Sequence, residues 1–261
     1  MRKNQDRSTL PYSVSQNFLT SRSLIERLIK RAGITNHDTV LEIGAGKGHI
    51  TKALAASCKQ VISYEIDGKL YERLKPQLGS NVHLHNADFL KCALPKTEYK
   101  VFANIPFSRT TEILRKLTGA APLPSGMWLV MEKGAAKRFC GLPRENLNSL
   151  LLKPFFDVRI IYYFRREDFH PAPRVDTVLL ELRRKAMPDI PPAQKQAFSA
   201  FLSHSLRCGL FGSRALLTKK QIGAALRLAK LPPVERAGDV LYIQWLCLFR
   251  CWQSGKGNPI R

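Results

Sequence analysis

Apolar positions along the chain keep two rhythms. Leu24, Ile25, Leu28 and Ile29 recur at helical spacing behind Ser21, which predicts a capped amphipathic helix over about 22–32. From Thr39 onward the apolar residues come as short runs instead, at 40–43, 60–64, 82–84, 100–103, 127–131, 158–164 and 177–182. Helical patterns lie between most of these runs, as over 48–57, 69–78 and 110–117. Strands alternating with helices predict an α/β fold, a mostly parallel sheet with helices on both faces. The loop between the last two strands is too short for a crossover helix, so they are expected to pair antiparallel at one edge. Ala186-Met187-Pro188-Asp189-Ile190-Pro191-Pro192 reads as a linker, and the remainder of the chain is helical without strand-like alternation. The expected organisation is an α/β domain over 1–185, opened by a polar, basic, extended arm at 1–21, then the linker and a small all-α domain over 186–261.

A net charge of +22, from 42 Lys and Arg against 20 Asp and Glu, adds a polyanionic partner to this picture. Cationic side chains neutralise phosphates and release condensed counterions, whereas an uncompensated excess of this size repels itself in a compact fold. The stretch from Lys185 to the end holds 12 of the basic and 3 of the acidic residues, so the helical domain is itself basic. Met1-Arg2-Lys3-Asn4-Gln5-Asp6-Arg7 is charged and no apolar segment follows it; no run approaches the roughly 20 apolar residues that cross a bilayer. The six cysteines form no C-x-x-C pair and read as reduced thiols of a cytoplasmic protein without a membrane partner. His83 and His85 share a strand face but lack a third ligand, so no metal is expected.

Candidate chemistry gathers at the ends of the first four strands. Glu42-Ile43-Gly44-Ala45-Gly46-Lys47-Gly48 follows the first. Its G-x-G-x-G spacing is neither the G-x-G-x-x-G dinucleotide fingerprint nor a phosphate loop, since Lys47 is followed by Gly48. Glu65 and Ile66 end the second strand, where an acid binds ribose hydroxyls in this fold class. Asp88 and Phe89 follow the third; the acid suits an adenine amino group and the ring can pack on the base. Together these describe a site for a nucleoside without a pyrophosphate.

Asn104-Ile105-Pro106-Phe107 follows the fourth strand at the same rim. An adenine amino group is a poor nucleophile because its lone pair is delocalised into the ring. Acceptors at its hydrogens, here the Asn104 side-chain carbonyl and the Ile105 backbone carbonyl, favour a tetrahedral nitrogen. Pro106 has no N–H and a fixed φ, so it stiffens the turn, and Phe107 offers a stacking face. Catalysis of this kind is mostly positioning. Phe169, in Arg166-Glu167-Asp168-Phe169-His170-Pro171-Ala172-Pro173-Arg174-Val175, is a second aromatic candidate that could clamp an unstacked base against Phe107. His170 is read as a loop residue or RNA contact and not as a base, because a methylated amine sheds its proton readily.

With these residues in order, and with Ser15-Gln16-Asn17-Phe18-Leu19 ahead of them, the chain resembles the Erm rRNA adenine-N6 methyltransferases. More distantly it resembles the KsgA-type dimethyladenosine transferases, which usually have Leu and Tyr in the Asn-Ile-Pro-Phe motif. The resemblance covers nearly the whole chain. It implies a seven-stranded, Rossmann-like class I domain that uses S-adenosylmethionine and releases S-adenosylhomocysteine, with a helical C-terminal RNA-binding domain. By resemblance, Gln16, Asn17 and Leu19 close over the methionine part of the cofactor, with Gly44 and Gly46 beneath it. Glu65 takes the ribose, with Ile66 beside it; Asp88 takes the adenine, with Phe89 beside it; Asn104 meets both cofactor and target amine. Phe107 and Phe169 sandwich the base. The implied target is one adenine of 23S rRNA at the macrolide-binding site, and the implied phenotype is macrolide–lincosamide–streptogramin B resistance. Phe107 stands where the family often has Tyr, so it stacks without a hydroxyl and carries no proton transfer. Ser108-Arg109-Thr110-Thr111 replaces the commoner Asn-Ile-Ser-Thr.

Candidate RNA contacts are Arg2, Lys3, Arg7, Arg109, Thr111, Lys137, Arg138 and Arg174. The partner expected is 23S rRNA, naked or before assembly, bound by a monomer. Two other functions fit the same residues: KsgA-like dimethylation of small-subunit rRNA, and a non-catalytic nucleic-acid-binding protein that reuses the fold.

Overall fold

The structure is a computed structural model that describes residues 17–119, 121–234 and 237–256. It divides into two compact units, one made of 1–133 with 160–183 and the other of 134–159 with 184–261. The sequence pattern keeps 134–159 with the first domain; here they fall in the second unit, which resumes at Arg184. The reason is local bonding. The Lys185 N–H donates to the Phe155 carbonyl at 2.9 Å and the Asp189 N–H to the Pro154 carbonyl at 2.9 Å, so the linker is stitched to an earlier part of the chain.

The first unit is built on strands β1 (Phe18–Leu19), β2 (Thr39–Ile43), β3 (Gln60–Glu65), β4 (Val82–Asn86), β5 (Lys100–Asn104), β6 (Gly126–Glu132), β7 (Phe156–Tyr163), β8 (Phe169–His170) and β9 (Thr177–Arg184), of which β7 straddles the unit boundary and β9 ends at it. Seven of them form one sheet in the order β4-β3-β2-β5-β6-β9-β7. Strands β2 to β6 run parallel to their neighbours, and β9 enters antiparallel to β6, with Leu129 opposite Leu180. The mostly parallel sheet expected from the alternating pattern is therefore present, and β9 lies inside it with β7 outermost.

Helices α1 (Arg22–Arg31), α2 (His49–Ala55), α3 (Gly68–Leu74) and α4 (Thr110–Gly119) belong to this unit. The Ser21 hydroxyl accepts from the Leu24 N–H at 3.4 Å, and Leu24, Ile25, Leu28 and Ile29 are all buried, as their spacing predicts. Asp67 caps α3 in the same way, accepting from the N–H of Lys69 at 2.8 Å. Polar burial pins the antiparallel strand: the Trp128 indole N–H donates to Glu181 at 2.9 Å across β6 and β9.

The β1–β8 pair is a finding the sequence pattern did not announce. Phe18 lies opposite His170 and Leu19 opposite Phe169, so the end of the N-terminal arm is a strand laid against the proline-rich loop. The Thr20 N–H extends the ladder to the Asp168 carbonyl at 3.1 Å.

In the second unit, α5 (Lys133–Cys140) and α6 (Leu147–Leu152) accompany α7 (Lys195–Cys208), α8 (Lys219–Leu228) and α9 (Tyr242–Cys251). Phe198, Phe201, Trp245 and Phe249 form its aromatic core, with Phe198 edge-on to Phe249 at 4.9 Å. Among the described residues no helix is long and apolar enough to cross a membrane.

Candidate active site

The turn between β2 and α2 requires glycine. Gly44, Gly46 and Gly48 have φ of +79°, +56° and +81°, conformations that cost an L-residue with a side chain. The Gly44 N–H and the Ala45 N–H both donate to the Tyr64 carbonyl, at 2.8 and 3.2 Å, folding the loop over the end of β3. Space is short as well: a Cβ on Gly46 would stand 2.6 Å from the Phe18 ring of β1. At Gly44 the nearest atom to such a Cβ is the Asn104 backbone oxygen at 3.8 Å, so the glycine loop adjoins the turn after β5.

Glu65, at the end of β3, is almost fully buried at 2% exposure. One carboxylate oxygen accepts from the Gly46 N–H at 2.7 Å and the other from the Asp67 N–H at 2.8 Å. The acid expected to bind ribose therefore already organises the loop. Each oxygen keeps a further lone-pair direction for a hydroxyl donor. Ile66 beside it is 39% exposed, an apolar side chain displayed at the sheet rim. Asp88 is half-buried and caps a 3-10 turn over Phe89–Lys91, accepting from the Leu90 N–H at 2.9 Å. The Phe89 ring, expected to pack on a base, is buried under Tyr64 at a centroid distance of 5.7 Å, with the Lys116 ammonium 4.9 Å above it. It supports the loop from inside.

At the next strand end, the Asn104 side-chain N–H donates to the Asn17 carbonyl at 2.6 Å. That partner is an acceptor only, so it fixes which end of the amide is nitrogen and turns the oxygen away from Asn17. Ile105 is buried, and its N–H reaches the Val130 carbonyl at 3.2 Å. Pro106 is exposed, and Phe107 is half-buried as it opens the 3-10 turn leading into α4. The Thr110 hydroxyl closes that turn onto the Phe107 carbonyl at 2.9 Å. The motif is thus anchored through Asn104, Ile105 and the Phe107 carbonyl, with Pro106 displayed.

Phe169 departs from expectation. It is 4% exposed, edge-on to Phe164 at 5.3 Å, and packed in the core with Leu19, Trp128 and Val130. The structure brings it to Leu19 through the β1–β8 pair, but its ring faces are occupied by protein. Of the RNA candidates, Arg109 is half-buried and paired with Glu112 at 3.0 Å, while Thr111 and Arg174 are exposed. Lys137 and Arg138 are exposed on α5 in the second unit. Gln16, Arg2, Lys3 and Arg7 lie outside the described residues. His85 stacks on Tyr64 at 5.2 Å, and the described residues contain no cluster of His, Cys, Asp and Glu able to hold a metal ion.

Two polar groups beside the site have no role in the reading of the sequence motifs. Glu42 on β2 is 1% exposed; the Thr51 and Ser63 hydroxyls each donate to its Oε2 at 2.7 Å, and its Oε1 has no partner among the described residues. Burial pushes its carboxyl up to about 7, against the pull of the two hydroxyls and with some help from the charge of Glu65. The other is Lys116 on α4. Glu42 opens the glycine motif, but nothing in its spacing marks a buried carboxyl, and a lysine on a helix carries no signal at all.

These groups suit a nucleoside cofactor without a pyrophosphate: a glycine turn, a buried acid bonded to it, an exposed apolar side chain and a second acid on successive strand ends. With the strand order above, they define the class as a Rossmann-like, S-adenosylmethionine-dependent class I methyltransferase domain. A family model described as ribosomal RNA adenine dimethylase matches residues 8–224. The rRNA adenine N-6-methyltransferase of Escherichia coli is 35% identical over 247 residues, covering 94% of this chain and 97% of that one. Its counterpart in Bacillus licheniformis is 32% identical over 259 residues, covering 95% and 88%. Among solved structures, the 23S rRNA methyltransferase ErmE superposes with a TM-score of 0.80 at 28% identity, over 91% of this chain and 100% of that one. A dimethyladenosine transferase from Plasmodium falciparum shares the fold, with a TM-score of 0.68 at 20% identity over 92% and 98%. The chain belongs to the ribosomal RNA adenine dimethylase family, and is an S-adenosylmethionine-dependent rRNA adenine N6-methyltransferase.

Proposed function

We propose that this chain methylates N6 of one adenine in 23S rRNA at the macrolide-binding site and so confers macrolide–lincosamide–streptogramin B resistance. The observation that carries the reading is the meeting of the Asn104–Phe107 turn with the glycine loop, 3.8 Å from the Asn104 carbonyl to a Cβ placed on Gly44. A methyl donor and an unstacked purine have a common meeting place there. S-adenosylmethionine supplies the electrophilic methyl group when bound, and S-adenosylhomocysteine is the product.

The chain's own residues bind and orient. Glu65 takes the ribose hydroxyls and Asp88 the cofactor's adenine amino group, with Ile66 against the ring. Gly44 and Gly46 permit close backbone approach, and Gln16, Asn17 and Leu19 close over the methionine part. The Asn104 Oδ1 and the Ile105 carbonyl accept the hydrogens of the target amine, and Phe107 stacks on the target base. Phe169 acts through the β1 strand it buries, with its ring committed to Phe164. Arg109, Thr111 and Arg174 in the first unit, and Lys137 and Arg138 in the second, are the phosphate contacts proposed among the described residues. The enzyme works as a cytoplasmic monomer on naked or pre-assembly rRNA.

Support for 23S over small-subunit rRNA comes from Asn-Ile-Pro-Phe and the Phe-His-Pro-Ala-Pro loop. It also comes from the likeness to ErmE, a 23S rRNA methyltransferase. The test is radiolabelled methyl transfer to naked 23S, naked 16S and assembled large subunits, followed by primer-extension mapping. Label at one 23S adenine, lost in Asn104→Ala, is expected. Label confined to 16S rRNA favours the KsgA-like reading, and cofactor binding without transfer to any rRNA favours the non-catalytic one.

A further inference from the structure

Lys116 sits on α4, one to two helical turns beyond the catalytic turn that opens that helix. Its ammonium donates to three backbone carbonyls of one short loop: Phe89 at 2.7 Å, Leu90 at 2.9 Å and Cys92. It also lies 4.9 Å over the centre of the Phe89 ring. An ammonium has three N–H donors and no acceptor, so these contacts use its whole donor capacity and add a cation–π contact. The captured carbonyls belong to the 3-10 turn whose other end is capped by Asp88. A cation at the carbonyl end and a carboxylate at the N–H end are the charges such a turn favours.

We infer that Lys116 is a positioning residue. It clamps the Asp88–Cys92 loop to the helix that carries the Asn104–Phe107 turn, and so sets the distance between the cofactor's adenine end and the target base. This rests on the proposal that Asp88 receives the adenine amino group. Both contacts are made from one helix, α4. Its first residues close the catalytic turn through Thr110, while Lys116 grips the adenine loop from the same rod. Without the clamp, the loop keeps Asp88 but loses its fixed height above β4. The Asp88 carboxylate then no longer meets the amino group at hydrogen-bond distance.

The experiment compares Lys116→Met, Lys116→Arg and Asp88→Asn with the wild-type full chain. Calorimetry measures binding of S-adenosylhomocysteine and of its inosine analogue, which carries oxygen in place of the amino group. Wild type is expected to prefer the adenosine ligand. Lys116→Met is expected to lose about tenfold in affinity for it, the value of one charged hydrogen bond, and less than about twofold for the analogue. Lys116→Arg should fall between, because a planar guanidinium cannot aim three N–H groups at three converging carbonyls. In the unliganded protein, hydrogen exchange of the 90–92 amides should quicken in Lys116→Met while exchange in β2 and β5 stays as in wild type. A wild-type ligand preference in folded Lys116→Met overturns the inference. If that variant does not fold, Lys116→Arg decides the matter, and an unchanged preference there overturns the inference equally. If Asp88→Asn leaves the preference intact, the adenine assignment fails, which is a separate result from a clamp that fails while Asp88→Asn behaves as stated.

Discussion

Replacing Glu42 by Gln should change how the protein's stability depends on pH, and the structure gives the size and sign of the change. In the fold, both hydroxyl bonds go to one oxygen and the other is buried without a partner among the described residues, so the charged form is poorly solvated. The carboxyl is held at about 7, against 4.5 for an unperturbed glutamate. Between those values the folded chain keeps a proton that the unfolded chain has released, so stability falls as pH rises through that window. Above about 7 both states are ionised and the loss is complete. At about 1.4 kcal/mol per pH unit the loss is on the order of 3 kcal/mol. The amide of the Glu42→Gln variant cannot ionise; whatever it costs in the same cavity, on the order of 1–3 kcal/mol for a donor left unpaired, does not vary with pH. Urea unfolding of both proteins at half-unit steps from pH 5 to 8.5, followed by circular dichroism, isolates the difference through the midpoints at constant m. The gap between wild type and Glu42→Gln should shift toward the variant by that amount as pH rises. Parallel curves would show that Glu42 ionises in the fold as it does in the unfolded chain, which refutes the reasoning from its burial.

Gly46→Ala combines a Cβ 2.6 Å from the Phe18 ring with a φ of +56°, so it should lower the melting temperature and weaken S-adenosylhomocysteine binding at least tenfold by calorimetry. Phe107→Leu should raise KM for rRNA by about tenfold or more, the value of one base–aromatic stack, while Phe107→Tyr restores it. Filter-binding affinity for rRNA should fall steeply between about 50 and 200 mM salt, and Lys137→Glu with Arg138→Glu should flatten the slope by about two phosphate contacts, an unchanged slope removing α5 from the RNA interface.

The parts of this molecule legible in its sequence are those with a periodic or compositional cost. Val40, Val61, Val101 and Met127 are buried between the two faces of a parallel sheet, which forces continuous apolar runs. Gly44, Gly46 and Gly48 mark a turn that other residues cannot enter. The β1–β8 pair is not legible because strands of two residues are too short to show alternation, and their pairing joins segments about 150 positions apart. The extent of the second unit is hidden for a related reason: backbone bonds from Lys185 and Asp189 to 154–155 leave no trace in side-chain pattern. Phe169 looks displayed in the sequence because a proline-rich loop is usually exposed, yet strand pairing turns its ring into the core.

Asn104 shows why so much of the site is assembled by the protein itself. Under the proposed function its amide serves two partners of opposite kind: the N–H end is spent on the Asn17 carbonyl, and only the oxygen end remains for the proposed substrate amine. An aspartate would set a second acceptor against the Asn17 carbonyl and lose the tie to the N-terminal strand. A leucine would keep the volume and lose both. Glu65 follows the same rule, its two oxygens already bonded to the Gly46 and Asp67 N–H groups ahead of the proposed ribose. Acceptors already fixed by backbone donors need little reordering when a ligand binds, and that saving matters most where the reaction consists of holding a weak nucleophile in line with a methyl group. The side chains whose type is most constrained here are therefore those bonded at once to the fold and to the proposed ligands.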